Sequence, residues 1–174
     1  FNIINDVPKS DIIYQVRYWD KAGTRGGGCN SVGALVLKTK TGKFIMADIV
    51  KGQWASAERE RVIRQTAELD GKDVVIWIEQ EPGSGGKESA ENTIRNLAGF
   101  RVYADKVTGS KELRAEPYAS QVGGGNVYVL NREWTRDFLE EHRLFPNGKY
   151  KDQVDATAGA INKLIAIKNE IGVW

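Results

Sequence analysis

The stretch Asp73-Val-Val-Ile-Trp-Ile-Glu79-Gln-Glu81 decides the fold of this chain. Five apolar residues run without a break over residues 74–78, and a Pro-Gly pair follows the stretch. A short apolar run that is rich in β-branched residues and ends at a turn signal predicts a strand buried on both faces of a sheet. That strand ends at Glu79, and a carboxylate in such a position needs a paired partner or a bound cation.

The composition describes an ordinary single domain. The chain has 174 residues, enough for one domain with a sizeable core. Its formal net charge of +2 neither predicts nor excludes a polyanionic partner, because a local patch matters more than the sum. The one cysteine, Cys29, excludes an internal disulfide and a cysteine-based zinc site, and favours a reducing compartment. No apolar run approaches the roughly 20 residues of a membrane span, and we find no signal peptide. Because the first residue is Phe1, we expect a fragment of a longer chain.

Strands and helices are predicted to alternate after a polar arm or linker at residues 1–11, with a glycine-rich loop at residues 21–31. The predicted strands are residues 12–19, 32–39, 43–50, 74–78, 100–104 and 126–130. The predicted helices are residues 55–69 with Ser56 as N-cap, 90–98, 111–122 with a break at Pro117, 132–142 with Asn131 as cap, and 152–171. A tight-turn signal at Thr41-Gly42 predicts an antiparallel hairpin. This order predicts an α/β domain over residues 12–174, with a mixed central sheet that begins as an antiparallel meander.

Four carboxylates are candidates for a metal site: Asp20, Glu79, Asp152 and Asp155. Asp20 and Glu79 end strands that we expect to be neighbours, and the other two lie three residues apart at the start of the last helix. Carboxylates that converge repel one another unless cations lie between them, and hard ions such as Mg²⁺ or Mn²⁺ prefer oxygen ligands. Two such ions about 4 Å apart can activate a water and stabilise the leaving oxygen of a phosphodiester.

A structural explanation of the same carboxylates stays open. Asp152 and Asp155 would then only complement the dipole of the helix N-terminus, and Glu79 would face solvent. Glu81 is an alternative ligand if the strand continues past Glu79. Asp48 lies inside a predicted strand and is more typical of a salt-bridged residue than of a ligand.

The glycine-rich segment over residues 83–88 resembles a phosphate-binding loop but lacks its key residues. The P-loop pattern needs a glycine where this chain has Glu81 and a hydroxyl residue where it has Glu88. We therefore expect no ATP site here. Lys87 and the backbone N–H groups of the turn remain candidates for contact with a nucleic-acid phosphate.

Basic residues provide further candidate phosphate contacts. Lys111 and Arg114 lie three apart near a helix start, so they share a face that could hold a phosphate backbone, with Lys106 nearby. The alternative is a solvated helical face. Other basic side chains close to Asp20 are Arg17, Lys21 and Arg25.

The remaining reactive residue types give weaker signals. His142, the only histidine, lies among charged residues and is predicted to be exposed. Cys29 has no histidine partner in its loop, so we do not expect a thiol nucleophile. The tryptophans at positions 19, 54, 77 and 134 are interpreted as core residues.

Four segments together resemble a known protein family. They are Tyr18-Trp-Asp20, Ile78-Glu79-Gln-Glu-Pro-Gly83, Lys111-Glu-Leu-Arg114-Ala-Glu-Pro117 and Phe145-Pro-Asn-Gly-Lys-Tyr-Lys-Asp152-Gln-Val-Asp155-Ala156. Over roughly residues 12–166 the chain resembles the C-terminal nuclease domain of the large terminase subunit of tailed bacteriophages, and the last segment is the most specific.

The resemblance implies a ribonuclease H-like fold and a two-metal endonuclease, using Mg²⁺ or Mn²⁺, that cuts concatemeric phage DNA during genome packaging. By position, Asp20, Glu79 and Asp152 match the family's catalytic acids, and Asp155 matches a further metal ligand. Lys87, Lys111 and Arg114 are the candidates for contact with DNA. The family often has two adjacent aspartates where this chain has Lys151-Asp152, so one ligand is missing here.

The resemblance also implies partners and a location. Double-stranded DNA is the expected substrate, and the complete subunit would carry an N-terminal ATPase domain and work with a small terminase subunit and the portal. The place of action would be the host cytoplasm at the procapsid portal, with no membrane contact. The chain has no P-loop motor sequence, so we interpret it as the nuclease domain without its motor.

Two other function classes stay open from the sequence. One is a resolvase or RNA–DNA hybrid nuclease on the same fold. The other is a non-catalytic DNA-binding or docking module whose carboxylates are structural. Substitution of Asp20 or Asp152 by asparagine distinguishes the second class, because function would then survive.

Overall fold

The computed structural model describes the backbone of residues 1–21 and 30–171, and the side chains of residues 1–21 and 30–167. Most of the glycine-rich loop predicted at residues 21–31, including Arg25 and Cys29, lies outside the described residues.

Within these described residues, seven strands form one mixed sheet in the order β1-β7-β4-β3-β2-β5-β6. Their bounds are β1 Asn2–Ile4, β2 Ile12–Asp20, β3 Ser31–Thr39, β4 Phe44–Gly52, β5 Val75–Gln80, β6 Val102–Lys106 and β7 Val127–Leu130. β2, β3 and β4 pair antiparallel, whereas β2–β5, β5–β6, β4–β7 and β1–β7 pair parallel. The predicted α/β class and antiparallel meander are confirmed.

The register between β2 and β5 brings the ends of the two strands together. Tyr18 pairs with Trp77 and Trp19 pairs with Ile78, so Asp20 and Glu79 follow at the same edge of the sheet. The expected neighbourhood of these two strands is therefore confirmed. The apolar run places β5 inside the sheet. Ile76 and Ile78 are fully buried on one face, and Trp77 lies on the other.

Six α-helices of the described chain flank the sheet. Their bounds are α1 Ser56–Asp70, α2 Ser84–Asn96, α3 Lys111–Arg114, α4 Glu116–Gly123, α5 Thr135–Leu144 and α6 Asp152–Ile171. α6 packs across β2 and β3 with Val154, Ile161 and Leu164 buried in the larger core. α1 and α2 cover the opposite face, where Trp19 and Ile63 belong to a second core.

Gly159 allows α6 to approach the sheet closely. A Cβ atom at this position would overlap the ring of Tyr18 on β2. The absence of a side chain at Gly159 thus determines how near the start of α6, with its acidic residues, lies to the end of β2.

Several local predictions are wrong, and each has a local cause. The segment predicted as a glycine-rich turn at residues 83–88 instead begins α2 at Ser84, after Gly83 with φ +99°. Gly86 lies so close to the backbone of Glu81 that a Cβ atom would not fit. α5 begins at Thr135 rather than directly after Asn131, and Ser56 is the first residue of α1 rather than its N-cap.

Other local predictions are confirmed. The break expected at Pro117 separates α3 from α4, because proline is accommodated only in the first turn of the new helix.

Part of the segment predicted as an arm at residues 1–11 is ordered against the domain, since Asn2–Ile4 forms β1 and pairs with β7. The boundary between arm and domain stays a prediction.

None of the helices in the described part of the chain is both long enough and apolar enough to span a membrane.

Candidate active site

Two buried carboxylates end neighbouring strands. Asp20 is the last residue of β2 and is 4% exposed, and Glu79, the penultimate residue of β5, is 7% exposed. Burial of two like charges side by side is unfavourable unless cations compensate them. The strand-end position predicted for both residues is confirmed.

The third buried carboxylate comes from the first turn of α6. Asp155 is 7% exposed and faces the strand ends, whereas Asp152, one turn earlier, is half-buried. Oδ2 of Asp152 accepts a hydrogen bond from the backbone N–H of Asn30 at 3.2 Å. Asp152 therefore lies at the rim of the cluster that Asp20, Glu79 and Asp155 form; we call these three residues the acidic cluster.

Lys111 on α3 bridges two members of the acidic cluster. Its Nζ lies 2.6 Å from Oδ2 of Asp155 and 3.7 Å from Oδ2 of Asp20. Burial lowers the pKa of Lys111, but the two carboxylates more than offset this, so the pKa is raised and the ammonium group stays charged. The side chain is 41% exposed, so it also remains accessible from solvent.

Arg114, one turn after Lys111, forms an ion pair with Glu79, the third member of the acidic cluster. Its Nη1 donates to Oε1 of Glu79 at 2.8 Å, and its backbone carbonyl accepts a hydrogen bond from Nδ2 of Asn162 on α6. Burial lowers the pKa of Arg114, but the hydrogen bond to Glu79 and the surrounding negative charges together raise it by more than burial lowers it. The two basic residues predicted to share a helical face are thus confirmed on one face, and that face is turned toward the acidic cluster.

Two carboxylates of the cluster, those of Asp20 and Asp155, have raised pKa values. Burial raises the pKa of Asp20 well above its usual value, and the neighbouring charge of Glu79 raises it further. Burial also raises the pKa of Asp155, although Lys111 opposes that shift. These directions are those of like charges that crowd together in a partly dry environment.

The chemistry of the cluster fits a divalent cation. Oδ2 of Asp20 is buried and has no hydrogen-bond partner among the described residues. Within residues 1–21 and 30–167, however, no three Asp, Glu, His or Cys side chains are already arranged to hold a metal ion. Lys111 pairs with Asp20 and Asp155, and Arg114 pairs with Glu79, so a cation bound here would compete with two basic side chains for the same oxygens.

A small cavity of about 30 Å³ lies beside the cluster and shows residues that sequence analysis missed. Asp105 on β6 accepts a hydrogen bond from the hydroxyl of Tyr18 and pairs with Lys163 at 2.7 Å. Asp105 also lies opposite Glu79 in the β5–β6 register. The signal that marked Glu79, a carboxylate at the end of a parallel strand, marks Asp105 equally, but the strand was predicted to end at residue 104.

Other predicted residues lie elsewhere. Lys87 is exposed in the first turn of α2, which follows the same sheet edge as Glu79, and its nearest ion pair is Glu91 at 4.0 Å. Glu81 is exposed and follows the end of β5. Asp48 is salt-bridged, as expected, to Arg17.

The suggestion that Arg17 or Lys21 holds phosphate is wrong. Arg17 is 2% exposed and donates hydrogen bonds to Asp70 and Asp48 on the α1 side of the sheet. Lys21 donates to the side chains of Ser89 and Thr93 on α2. Both cations are committed to internal contacts.

The prediction that His142 is exposed is also wrong. Its Nδ1 donates to the carbonyl of Phe138, and its Nε2 accepts from the hydroxyl of Tyr118, each at 2.8 Å. The ring of Phe1 covers the imidazole edge-on at 5.3 Å between centroids. Burial lowers the pKa of His142 to about 4. The residue is part of the core packing rather than of the acidic cluster.

Several solved structures have a fold similar to that of this chain. The nuclease of the large terminase from thermophilic phage G20c, solved with bound zinc, is similar with a TM-score of 0.67 and 16% identity, covering 92% of each chain. The large terminase of thermophilic bacteriophage D6E is similar with a TM-score of 0.68 and 13% identity, over 94% of this chain and 43% of that one. The yeast mitochondrial Holliday junction resolvase is similar with a TM-score of 0.53 and 12% identity, over 87% of this chain and 78% of that one. At these identities the likeness shows the fold.

The sequence itself matches one family. No curated protein matches the chain in sequence. The pattern that defines the family described as "Terminase RNaseH-like domain" matches residues 17–164, which include both strand-end carboxylates, the basic residues of α3 and the acidic start of α6. The ribonuclease H-like fold expected from the sequence is thereby confirmed, and the chain belongs to the family of terminase RNase H-like domains.

Proposed function

We propose that this domain is a metal-dependent DNA endonuclease that cleaves concatemeric viral DNA during genome packaging. The observation that carries the proposal is the acidic cluster, in which two adjacent strand ends and one helix start bring Asp20, Glu79 and Asp155 to one edge of the sheet. Oδ2 of Asp20 supports a cation there, because this buried oxygen accepts no hydrogen bond and its ion pair with Lys111 is long, at 3.7 Å.

The ions we propose are two Mg²⁺ or Mn²⁺, held by the acidic cluster with Asp152 as a ligand at the rim. A divalent cation activates a water for attack and stabilises the charge that develops on a phosphodiester. The nuclease of phage G20c, whose structures carry magnesium, cobalt and zinc, supports the use of divalent ions on this fold. An acidic cluster of carboxylate oxygens favours the harder ions of that group.

The basic residues of α3 have two roles in this proposal. Lys111 and Arg114 compensate the buried carboxylates when no cation is bound. When cations replace them, both side chains become available for the DNA backbone, where they orient the scissile phosphate at the cluster. Lys87, exposed at the start of α2, follows the same edge of the sheet as Glu79 and contributes a further phosphate contact.

The wider role follows from the family and is part of the proposal. The chain spans 43% of the large terminase of phage D6E. An ATPase domain N-terminal to this one in the complete protein is part of what we propose. Double-stranded DNA is the substrate that we propose, a small terminase subunit and the portal are the partners, and the host cytoplasm is the location.

Nicking of supercoiled plasmid tests the activity. We expect cutting with Mg²⁺ or Mn²⁺, none with EDTA, and none from Asp20→Asn. Glu68→Gln, a substitution of an exposed carboxylate on α1, is the matched control and should cut like the unmodified domain. Metal binding measured by calorimetry separates loss of chemistry from loss of the ion. Cutting that survives in Asp20→Asn would place the chemistry outside the acidic cluster.

A second candidate is a nuclease for branched or hybrid substrates. The likeness to the yeast Holliday junction resolvase, with its TM-score of 0.53, favours it. Four-way junctions and RNA–DNA hybrids compared with duplex DNA under the same conditions distinguish the two. Preferential cutting of a junction would replace our proposal, and DNA binding without cutting of any substrate would favour a non-catalytic module.

A further inference from the structure

An aromatic pair occupies the exposed end of the sheet on the face that α6 partly covers. Trp77 on β5 and Tyr103 on β6 are register partners, and their ring centroids are 5.2 Å apart with a tilt of 36°. Trp77 also pairs with Tyr18, whose ring meets Gly159 of α6, so all these rings lie on one face. Tyr103 is 49% exposed, which is unusual for a large ring on a strand next to a core.

A groove with a volume of about 680 Å³ runs from Trp77 along the same face. Apolar side chains of Tyr14, Val75 and Ile167 contribute to its walls, and Arg101 and Lys163 contribute cations. Asp73 lies at the end of the groove farthest from the acidic cluster. This volume is that of a ligand site rather than of a packing defect.

The cations are placed beside the rings. Nζ of Lys163 lies 4.0 Å from the centroid of Trp77 and 2.7 Å from Oδ1 of Asp105. Arg101 is exposed and donates to the backbone carbonyl of Asp73 at 3.0 Å, which leaves the rest of its guanidinium accessible. Aromatic rings interleaved with cations are typical of surfaces that bind single-stranded nucleic acid.

The aromatic pair lies between the groove and the strand ends that carry Glu79 and Asp105. Glu79 follows Trp77 by two residues, and Asp105 follows Tyr103 by two, so about 6.6 Å of strand separates each ring from a carboxylate at the sheet edge. That distance is close to the length of one nucleotide of backbone. A strand whose phosphate lies at the acidic cluster therefore reaches the aromatic pair with the next nucleotide.

We propose that the aromatic pair and the groove beside it bind an unpaired DNA strand next to the scissile phosphate, with a base stacked on Tyr103 and phosphates near Lys163 and Arg101. The proposal rests on the function proposed above, because DNA at the acidic cluster provides the strand. The strand is unpaired because the exposed ring of Tyr103 offers a stacking surface for the face of a base, which a base inside a duplex cannot present. The inference adds a preference for locally opened DNA to a duplex nuclease.

Binding measured without metal tests the groove independently of cutting. Fluorescence anisotropy of a labelled oligothymidylate in EDTA should give an affinity about tenfold weaker for Tyr103→Ala than for the unmodified domain. Tyr103→Phe keeps the ring and should bind normally. Tyr128→Ala, on β7 at the other side of the sheet from β5 and β6, is the control and should also bind normally. Lys163→Gln should weaken binding and reduce the salt dependence by about one counterion.

Two outcomes would overturn the inference. One is an equal oligonucleotide affinity for Tyr103→Ala and the unmodified domain. The other is a concentration-dependent dimer, seen by sedimentation, that Tyr103→Ala converts to a monomer while oligonucleotide binding is unchanged, because the face would then be covered by a second copy of this chain.

The plasmid experiment separates this inference from the proposed function. Asp20→Asn should still bind the oligonucleotide although it does not cut. If the unmodified domain cuts plasmid and Tyr103→Ala binds the oligonucleotide normally, the groove is wrong and the nuclease stands. If Tyr103→Ala weakens binding but no plasmid is cut with any metal, the nuclease is wrong and the groove stands as a DNA-binding surface.

Discussion

The Nζ of Lys111 lies 2.6 Å from Oδ2 of Asp155, a residue 44 positions later in the chain. This ion pair joins a short helix to the start of α6 at the point where the carboxylate of Asp20 is also within 3.7 Å of the same ammonium group. If the acidic cluster binds a divalent cation, as we propose, Lys111 and that cation compete for the same carboxylates. Competition between the ammonium group of Lys111 and a metal ion can be measured directly as a change in metal affinity.

Removal of Lys111 should strengthen metal binding. In Lys111→Ala the carboxylates of Asp155 and Asp20 lose their internal cation, so we expect the affinity for Mn²⁺ to rise by about tenfold, on the order of 1.4 kcal/mol. Calorimetric titration without DNA measures it. Lys51→Ala, which removes the ion pair with Asp137 outside the cluster, is the control and should bind Mn²⁺ like the unmodified domain. A weaker or unchanged affinity in Lys111→Ala would contradict the competition.

The two aspartates of α6 should differ in importance. Asp155 is buried in the acidic cluster whereas Asp152 is at its rim, so we expect Asp155→Asn to reduce plasmid nicking by about 100-fold or more and Asp152→Asn by about tenfold. Initial rates at saturating Mg²⁺ compare the two variants. Equal losses would mean that Asp152 moves into the cluster when the metal binds, and a larger loss for Asp152→Asn would reverse the ranking.

A methyl group at Gly159 should destabilise the domain. It would overlap the ring of Tyr18, so α6 must move away from β2, and we expect Gly159→Ala to lower the free energy of unfolding by about 1–3 kcal/mol. Urea denaturation measures the loss. Gly85→Ala is the matched control, because Gly85 also lies in a helix but a Cβ atom there has nothing within 4 Å, and it should stabilise the domain by up to about 1 kcal/mol. Similar effects of the two substitutions would show that close approach of α6 to Tyr18 is not required.

Stability should fall in acid because of His142. Its pKa is lowered to about 4 in the folded domain, so below the ordinary value of 6.5 the unfolded chain takes up a proton that the folded chain does not. The contribution is therefore fully present at pH 7 and is lost as the pH falls from about 6.5 to 4, by at most about 3 kcal/mol. Urea denaturation between pH 7 and 4 measures this slope.

His142→Gln serves as the comparison for that slope. Glutamine can keep one hydrogen bond to Tyr118 but does not titrate, so the variant should be less stable at pH 7 and should lose less stability on acidification. An identical pH dependence in the two proteins would assign the acid sensitivity to groups other than His142.

The sequence by itself determined the elements that carry the site. The apolar run before Glu79 predicts a strand inside the sheet, and the structure confirms this position, although the face with Val75 and Trp77 is only partly buried. Local patterns therefore suffice to predict carboxylates at the ends of two strands and at the start of the last helix. They also suffice for the break at Pro117, since its cause is the local chemistry of one residue.

Only the tertiary structure decided which charges meet. The sequence makes Arg17 a candidate for phosphate contact, but the fold buries it against Asp70. The sequence leaves the partner of Lys111 open, and the packing of α3 against α6 brings its side chain to Asp155. The register of β6 with β5 brings Asp105 next to Glu79. Local periodicity encodes whether a residue is buried, but an ion pair depends on a few ångströms between segments far apart in sequence, and packing sets that distance.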